Sequence, residues 1–191
     1  MFAQSLGGAG LALTPPTPAD VDRITACCQD PSIGRWTTMP VPYRRADAEA
    51  FVTEVVPAGW ADRRPTWALR RDPDAPVVGM IGLAAGDASA AEVGYWLDAA
   101  ARGHGLMTRA LTLVCDFAFR PDTLALERIG WRALVGNTAS AAVARRVGFR
   151  FEGTARSGGL QRGVRRDMWV AGLLPTDPRS PAEGWPPFGR R

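Results

Sequence analysis

The chain has 191 residues, with a hydrophobic fraction of 46% and a charged fraction of 22%, which are values typical of one globular domain with a substantial core. No apolar run approaches the length that a membrane-spanning helix needs, so we expect no such helix. The net charge of +4 is the difference between 23 Arg residues, with no Lys, and 19 Asp and Glu residues. These arginines are scattered among carboxylates rather than gathered in one dense patch, which argues against a nucleic-acid-binding surface.

Residues 1–13 lack the basic start of a signal peptide, so we expect a cytoplasmic protein. The cysteines, Cys27, Cys28 and Cys115, lack the spacing of a metal site, and a single histidine, His104, cannot complete a zinc site. We therefore expect no metal. A Ser-His-Asp triad would have to use His104, whose position at the start of a predicted helix suits anion binding better than base catalysis. The absence of Lys from the sequence rules out a lysine Schiff base.

In the first part of the chain, Pro and Thr mark the element boundaries. Thr17 caps a helix with Pro18 at its first position, and Pro57 ends or kinks a later helix. The prediction here is a strand over 10–14, a helix from Thr17 to about Cys28 with Val21 and Ile24 buried, a turn at Asp30-Pro31, a loop over 39–43 and a second helix over about 46–60.

From residue 65 onward the pattern changes to short strands followed by two helices. The prediction here is strands over 67–70, 77–84 and 91–97 with turns at Asp72-Pro73 and Gly86-Asp87, a helix that stops before Pro121, a strand over 127–135, a helix over 137–147 ended by Gly148, and strands near 149–155 and 164–172. This order predicts a mixed α/β (α+β) domain with one central sheet flanked by helices, not a Rossmann fold. We expect one domain over 1–173 and a Pro/Gly-rich C-terminal tail over 174–191 without regular structure, which is either disordered or wrapped on the surface.

The most informative stretch is residues 92–113, which read EVGYWLDAAARGHGLMTRALTL. A short apolar strand leads into the glycine turn Arg102-Gly103-His104-Gly105, and this turn leads directly into an amphipathic helix. The first amides of a helix have no intrahelical partner, so such a start is a ready site for an anionic phosphate group. The two glycines let the backbone approach the ligand without a Cβ in the way.

Glu92 lies on the strand before this turn. Because Val93, Tyr95 and Leu97 alternate along the strand, Glu92 lies on the face opposite Val93. Burial of an unpaired carboxylate is costly. Two interpretations therefore stay open: a structural ion pair with an Arg, or a general base that takes a proton from an amine.

Glu92, the turn RGHGLM and the helix start Asn137-Thr-Ala-Ser140 follow one another in a fixed order. Together they resemble the GCN5-related N-acetyltransferases (GNAT), and within them the RimJ/RimL-like branch of ribosomal-protein alanine N-acetyltransferases. The resemblance covers about residues 10–173. Arg102 and Gly105 match the family turn Arg/Gln-x-x-Gly-x-Gly/Ala. Met107 departs from it in a way that is usual in this branch, and Arg109 stands where the branch commonly has Glu.

The resemblance implies a GNAT fold and acetyl-CoA as co-substrate, with direct attack of an amine on the thioester. It implies Glu92 as the base, Ser140 as the acid that protonates the CoA thiolate, and a backbone N–H among residues 95–97 as the donor to the oxyanion. Asn137 is either an N-cap alone or also a contact to the pantetheine arm. The residues expected to bind acetyl-CoA are Tyr95, Trp96, Leu97, Arg102, Gly103, His104, Gly105, Leu106, Met107, Thr108 and Asn137.

The acceptor is the least defined part of the prediction. Trp36, Tyr43 and Trp67 are candidates for an acceptor pocket, and the alternative is that they belong to the core. The acceptor amine is a small molecule or a protein N-terminus, with no nucleic acid or membrane partner, and the sequence leaves homodimerisation open. Three alternatives remain: another acyl-CoA donor, a non-catalytic acyl-CoA-binding module, and a dinucleotide-binding protein. The last is disfavoured because GHGLMT lacks the third glycine of that motif.

Overall fold

The structure of the chain, a computed structural model, describes residues 3–8, 10–85 and 87–187. In sequence order the strands are β1 Leu6–Gly8, β2 Leu11–Thr14, β3 Thr66–Arg70, β4 Gly79–Ala85, β5 Ala90–Leu97, β6 Arg128–Leu134, β7 Arg150–Gln161 and β8 Val164–Leu173. The α-helices are α1 Val21–Cys28, α2 Pro31–Trp36, α3 Arg45–Ala50, α4 Val56–Ala61, α5 Leu106–Phe119 and α6 Thr138–Val147. The strands form a mixed sheet in the order β1-β2-β3-β4-β5-β6-β8-β7. This confirms the predicted mixed α/β class.

The chain divides into two compact units. Unit 1 comprises Met1–Ala84 and Gly94–Val114, and unit 2 comprises Ala85–Val93 and Cys115–Arg191. Strand β5 and helix α5 therefore each supply residues to both units. The predicted boundary between a domain over 1–173 and a tail over 174–191 stays a prediction.

Unit 1 contains the antiparallel strands β1 to β4 and a helical layer. In the register, Leu13 of β2 lies opposite Leu69 of β3, and Trp67 of β3 lies opposite Ile81 of β4. Helix α1 begins after a short 3-10 turn, Pro18–Asp20, as its capping residues predict. The buried core cluster of this unit consists of Val21, Ile24, Cys28, Tyr43, Ala48, Val52, Ala68, Val77 and Met80. The predicted burial of Val21 and Ile24 is confirmed.

A buried ion pair joins the start of this helical layer to the sheet of unit 1. The Nη2 atom of Arg70 donates to both carboxylate oxygens of Asp20 at 2.7 Å, and both side chains are about nine-tenths buried. The remaining guanidinium donors bind Thr14 Oγ1 at 2.9 Å and the Ala75 carbonyl at 2.8 Å. The sequence did not predict this pair, because the two residues are 50 positions apart.

The helix predicted over 46–60 is present in three parts. Helix α3 runs into a π-helical turn over Phe51–Val55, and α4 then begins at Val56 with Pro57 in its first turn. Proline has no N–H and its ring clashes with the preceding turn, and a widened turn lies just before it. Helix α4 continues through Pro57 to Ala61, so Pro57 does not end the helix, and the kink stays a prediction.

Two elements of unit 1 were not predicted, β1 and α2. The turn predicted at Asp30-Pro31 is the start of α2. The Asp30 side chain accepts a hydrogen bond from the Ser32 amide at 2.8 Å, and Pro31 takes the first helical position. Asp followed by Pro is a signature of helix starts as well as turns. The turn predicted at Gly86-Asp87 lies partly outside the described residues.

Unit 2 contains the first part of β5, up to Val93, together with β6, β7 and β8. Residues Ala90–Val93 of β5 pair in parallel with Arg128–Trp131 of β6, and β6, β8 and β7 pair antiparallel. Helix α6 ends as predicted at Gly148, whose φ of +107° is left-handed. Strand β7 is longer than predicted and carries register shifts at Phe151/Gly153 and Ala155/Gly159.

Residues 174–187, here called the C-terminal segment, lack helix and strand as predicted but lie against the rest of unit 2. The Ala182 amide donates to the Arg145 carbonyl at 3.1 Å, and Arg145 Nε donates back to the Ala182 carbonyl at 2.9 Å. Trp185 Nε1 donates to the Phe149 carbonyl at 3.0 Å. The end of the predicted tail, 188–191, lies outside the described residues.

Candidate active site

The glycine turn between β5 and α5 lies in unit 1 and has the conformation that its glycines predict. Gly103 and Gly105 have φ values of +84° and +70°, in the left-handed region where a Cβ is strained. A Cβ built on either glycine meets nothing within 4 Å. Conformation, rather than crowding by the protein, therefore explains the two glycines, and the space beside them is open.

At the start of helix α5 the side chains lie in the core, whereas the first backbone N–H groups have no intrahelical partner. Leu106 and Met107 are buried, whereas His104 is exposed. The bond from the Arg109 amide to the Gly105 carbonyl, at 3.1 Å, starts the helical pattern. The first turn contains no acidic residue that would repel an anion. This start therefore has the character of an anion site.

The Arg102 side chain stabilises the turn through hydrogen bonds to residues before it in the chain. Its guanidinium donates to the Leu97 carbonyl from Nε at 3.0 Å and from Nη2 at 2.9 Å, and Nη2 also contacts the Asp30 carboxylate at 3.2 Å. The pKa of Asp30 lies below its ordinary value, mainly because of the hydrogen bond from the Ser32 amide and further because of Arg102. Sequence reasoning assigned Arg102 only to phosphate binding. Its bracing contacts were missed because Asp30 is distant in sequence.

The end of β5, which holds Tyr95, Trp96 and Leu97, is fixed by β4 within unit 1. The Asp98 amide donates to the Val78 carbonyl at 2.8 Å. A Cβ on Gly79 would lie 2.6 Å from the Trp96 carbonyl oxygen, so this close approach requires glycine. The three side chains are half-buried, and Trp96 packs against the core cluster of unit 1.

Asp98 is a neighbour of the candidate site that sequence reasoning missed. Its carboxylate caps the short 3-10 turn Ala99–Ala101 by accepting from the Ala100 amide at 3.2 Å. It also forms an ion pair with Arg23 of α1 and accepts a weak hydrogen bond from the Cys27 thiol at 3.7 Å. An Asp directly before an Ala-rich turn is a capping signal that could have indicated the first of these contacts.

Glu92 lies in unit 2, opposite Gly130 in the parallel pairing of β5 and β6. It is half-buried, and burial raises its pKa above the ordinary glutamate value, while the positive charge of Arg132 opposes this shift. The Arg132 guanidinium itself donates to the Gly158 carbonyl at 2.7 Å. Glu92 therefore has the raised proton affinity that suits a general base.

Asn137 and Ser140 also lie in unit 2, at the start of α6. Asn137 is the N-cap, and its Oδ1 accepts a hydrogen bond from the Ser140 amide at 3.3 Å. The half-buried Ser140 side chain meets an indole, because Trp131 Nε1 donates to Ser140 Oγ at 3.1 Å. Trp131, on β6, was not among the predicted site residues. The N-cap interpretation of Asn137 agrees with the structure, while the pantetheine contact stays a prediction.

The three candidate acceptor residues differ in burial. Trp67 is wholly buried, donates from Nε1 to the Gln4 carbonyl at 2.7 Å and packs edge-to-face on Trp60. Tyr43 is a buried member of the core cluster. Trp36 is half-buried, and the Arg35 guanidinium lies 4.9 Å from its ring centroid. Burial favours the core interpretation of Tyr43 and Trp67 and leaves Trp36 as the accessible candidate.

The three cysteines are buried and free within the described residues. Burial raises the pKa of Cys27 to about 11, and those of Cys28 and Cys115 to about 12. A thiol must ionise to act as a nucleophile, so these residues are poorly suited to covalent catalysis.

The described residues contain no group of three or more His, Cys, Asp or Glu that could hold a metal ion. Across the same part of the chain, no helix combines the length and apolarity needed to cross a membrane.

This chain is similar to proteins that are named as N-acetyltransferases. A family model described as "Acetyltransferase (GNAT) domain" matches residues 11–150. A Bacillus subtilis (strain 168) protein named "Putative ribosomal N-acetyltransferase YdaF" is 38% identical over 103 residues, which are 53% of this chain and 55% of that protein. The chain thus spans about half the length of the curated relatives it matches.

Solved acetyltransferases share the fold. The microcin self-immunity acetyltransferase MccE, in complex with acetyl-CoA and AMP, is 19% identical with a TM-score of 0.78, covering 87% of this chain and 93% of that chain. The ribosomal alpha-N-protein acetyltransferase RimL, in complex with coenzyme A, is 21% identical with a TM-score of 0.78, covering 90% and 98%. The family model, which matches most of the chain, agrees with the earlier resemblance: the chain belongs to the GNAT acetyltransferase family.

Proposed function

We propose that this protein is an acetyl-CoA-dependent N-acetyltransferase that transfers the acetyl group to a primary amine by direct attack on the thioester. The observation that carries this proposal is the exposed glycine turn at the start of α5, in a chain of the GNAT family. Its left-handed glycines leave open space beside the first helical amides, as the approach of a pyrophosphate requires.

Acetyl-CoA is the proposed donor. The amides from Gly103 to Thr108 bind the pyrophosphate, with His104 beside it, while Arg102 holds the turn in shape through Leu97 and Asp30. The proposed contacts to the rest of acetyl-CoA are Tyr95, Trp96, Leu97 and Asn137. The complexes of MccE with acetyl-CoA and of RimL with coenzyme A support this choice of donor.

Glu92 is the proposed general base. The acceptor must lose a proton before it attacks, because the pKa of an α-amino group is about 8 and that of a lysine amine about 10.4. Burial raises the pKa of the Glu92 carboxyl, which brings its proton affinity closer to that of the amine and makes the transfer less uphill.

Ser140 is the proposed general acid. The amine nitrogen bonds to the thioester carbonyl carbon, and a backbone N–H among residues 95–97 stabilises the oxyanion. As the intermediate collapses, the carbon–sulfur bond breaks and the thiolate takes the proton of the Ser140 hydroxyl, while the second proton of the attacking nitrogen replaces it on Ser140 Oγ. The first proton, which the protonated amine loses before attack, goes to Glu92 and from there to solvent. No enzyme nucleophile takes part, which agrees with the buried, high-pKa cysteines.

The proposed acceptor is the N-terminal amine of a protein. This acceptor class is supported by the name of YdaF, "Putative ribosomal N-acetyltransferase", and by the description of RimL as an alpha-N-protein acetyltransferase. A small-molecule amine is the second candidate, favoured by the likeness to MccE, which was solved with AMP beside acetyl-CoA. Trp36 is the accessible aromatic residue proposed to contact the acceptor. The cytoplasm, where newly made protein N-termini are available, is the proposed location.

Turnover by Glu92→Gln tests the base assignment. CoA release is followed with a thiol reagent, using an acceptor panel of small amines and N-terminal peptides. Loss of a general base predicts a fall in kcat of about 100-fold or more, with acetyl-CoA affinity unchanged by calorimetry. Glu152→Gln, which alters an exposed Glu paired with Arg128, is the control expected to keep wild-type turnover. Unchanged turnover in Glu92→Gln would overturn the base role.

Ligand binding separates this proposal from its rivals. Tight acetyl-CoA binding without CoA release for any acceptor would favour a non-catalytic acyl-CoA-binding module. Faster release from a longer acyl-CoA would favour a different donor. Binding of NADH in place of acetyl-CoA would contradict the proposed donor altogether.

A further inference from the structure

We infer that Trp131 is a positioning residue for the general acid Ser140, and that Trp185 of the C-terminal segment holds Trp131 in place. The inference rests on the proposed role of Ser140. Its starting observation is the hydrogen bond of 3.1 Å from Trp131 Nε1 to Ser140 Oγ. All of the residues involved belong to unit 2.

The chemistry of the two groups fixes the direction of this bond. An indole N–H can only donate, so Ser140 Oγ is the acceptor. A hydroxyl that accepts a hydrogen bond becomes a stronger donor, because successive hydrogen bonds polarise one another. Trp131 therefore fixes the hydroxyl oxygen and increases the acidity of its proton, which are the two properties that protonation of a thiolate requires.

Ser140 is held through its backbone and through its side chain. Its backbone amide donates to the Asn137 side chain at 3.3 Å, and its side chain accepts from Trp131. Trp131 is itself rigid, because it is 1% exposed and lies in β6 between Val93 of β5 and Ala171 of β8. The hydroxyl is thus fixed to the sheet as well as to its own helix.

The C-terminal segment completes this arrangement. The Trp185 ring packs edge-on against the Trp131 ring, with the ring centroids 5.3 Å apart. The centroid of the Trp185 ring also lies 5.5 Å from that of the Phe151 ring. Its Nε1 donates to the Phe149 carbonyl at 3.0 Å, so the ring is anchored at its polar end as well as packed. The segment thereby supports the indole that orients Ser140.

The substitution Trp131→Phe removes the donor and keeps an aromatic ring. We expect kcat to fall about 3- to 10-fold, the equivalent of one neutral hydrogen bond, with KM and Kd for acetyl-CoA within twofold of wild type. Trp60→Phe is the matched control, because it removes another buried indole donor, bonded to the Thr66 carbonyl at 3.2 Å, in unit 1. This control should lower the melting temperature without changing kcat.

A double-mutant cycle with Ser140→Ala distinguishes positioning from general structural damage. If Trp131 acts through Ser140, Trp131→Phe causes no further loss of kcat in the Ser140→Ala background. An equal loss in both backgrounds would overturn the inference. So would wild-type kcat in Trp131→Phe when Ser140→Ala is impaired. Wild-type kcat in Ser140→Ala would instead remove the proposed acid, and with it the basis of the inference.

Trp185→Ala keeps the test decisive if Trp131→Phe fails to fold. It should lower kcat by a smaller factor, and this loss should also vanish in the Ser140→Ala background. Arg179→Ala, which loosens the same segment at its contacts with Asp116 and Phe119, should leave kcat unchanged. The chain has seven tryptophans, and the indole N–H resonance of Trp131 is identified by its absence from the spectrum of Trp131→Phe. This resonance should shift in Ser140→Ala and in Trp185→Ala. An unmoved resonance in both would refute the contact.

Discussion

The glycine turn offers the sharpest test of the proposed acetyl-CoA site, through the substitution Gly105→Ala. Gly105 has a φ of +70°, and a Cβ there meets nothing within 4 Å. The folded protein therefore pays only the left-handed strain, about 1–2 kcal/mol, which corresponds to a fall in melting temperature of roughly 2–8 °C for a chain of this size. The variant should fold.

The effect on binding should be larger than the effect on folding. The new methyl group occupies the open space beside the first amides of α5, where the phosphate is proposed to bind. Loss of one hydrogen bond to a charged group costs about 1.5–3 kcal/mol, so the Kd for acetyl-CoA should rise roughly 10- to 150-fold.

A matched control separates strain from ligand contact. Gly163, in the turn between β7 and β8, has a φ of +79° and is equally open. Gly163→Ala should therefore lose similar stability and bind acetyl-CoA normally, as measured by thermal unfolding and calorimetry. If Gly105→Ala binds acetyl-CoA as tightly as Gly163→Ala does, the assignment of the turn to the phosphate is refuted.

Three further predictions follow from contacts that lie within one of the two units. Arg132→Gln removes the charge that lowers the pKa of Glu92, so this pKa should rise. In the pH profile of kcat/KM, the acidic limb, along which the rate falls as pH falls, should then move to higher pH. An unmoved limb would contradict the assignment of Glu92 as the base. Arg70→Met removes the ion-pair partner of the buried Asp20 carboxylate, which keeps its hydrogen bonds from Thr17, and unfolding in urea should show a loss of about 3–5 kcal/mol; a loss below about 1 kcal/mol would contradict this role of Arg70. Gly148→Ala places a Cβ 2.2 Å from the Pro178 carbonyl oxygen at a φ of +107°, so it should raise proteolysis of the C-terminal segment, whereas wild-type resistance would show that the segment adapts.

Much of the fold could be predicted because local signals and tertiary structure agree. Helix α5 has a glycine turn before it, apolar residues at helical spacing and Pro121 after it. Helix α6 starts at the N-cap Asn137 and ends at the left-handed Gly148. Each of these signals depends on backbone chemistry within a few residues, which a sequence displays directly.

The contacts that shape the candidate site could not be predicted from the sequence in the same way. The bonds from Trp131 to Ser140 and from Arg102 to Asp30 join residues 9 and 72 positions apart, and they depend on which strand faces which helix. The Asp30-Pro31 pair is compatible with a turn and with a helix start, and only the structure decides between them. The burial of Trp67 likewise follows from packing, since a Trp at a strand position can serve a pocket or a core equally well.

The measurement that tests the central claim most directly is amine-dependent transfer of labelled acetyl from acetyl-CoA, made with wild-type protein and with Glu92→Gln on the same panel of N-terminal peptides and small amines. We predict label on the amine of at least one acceptor with wild-type protein, and loss of transfer but not of acetyl-CoA binding in Glu92→Gln. Tight acetyl-CoA binding with no labelled product for any amine would contradict the proposed N-acetyltransferase.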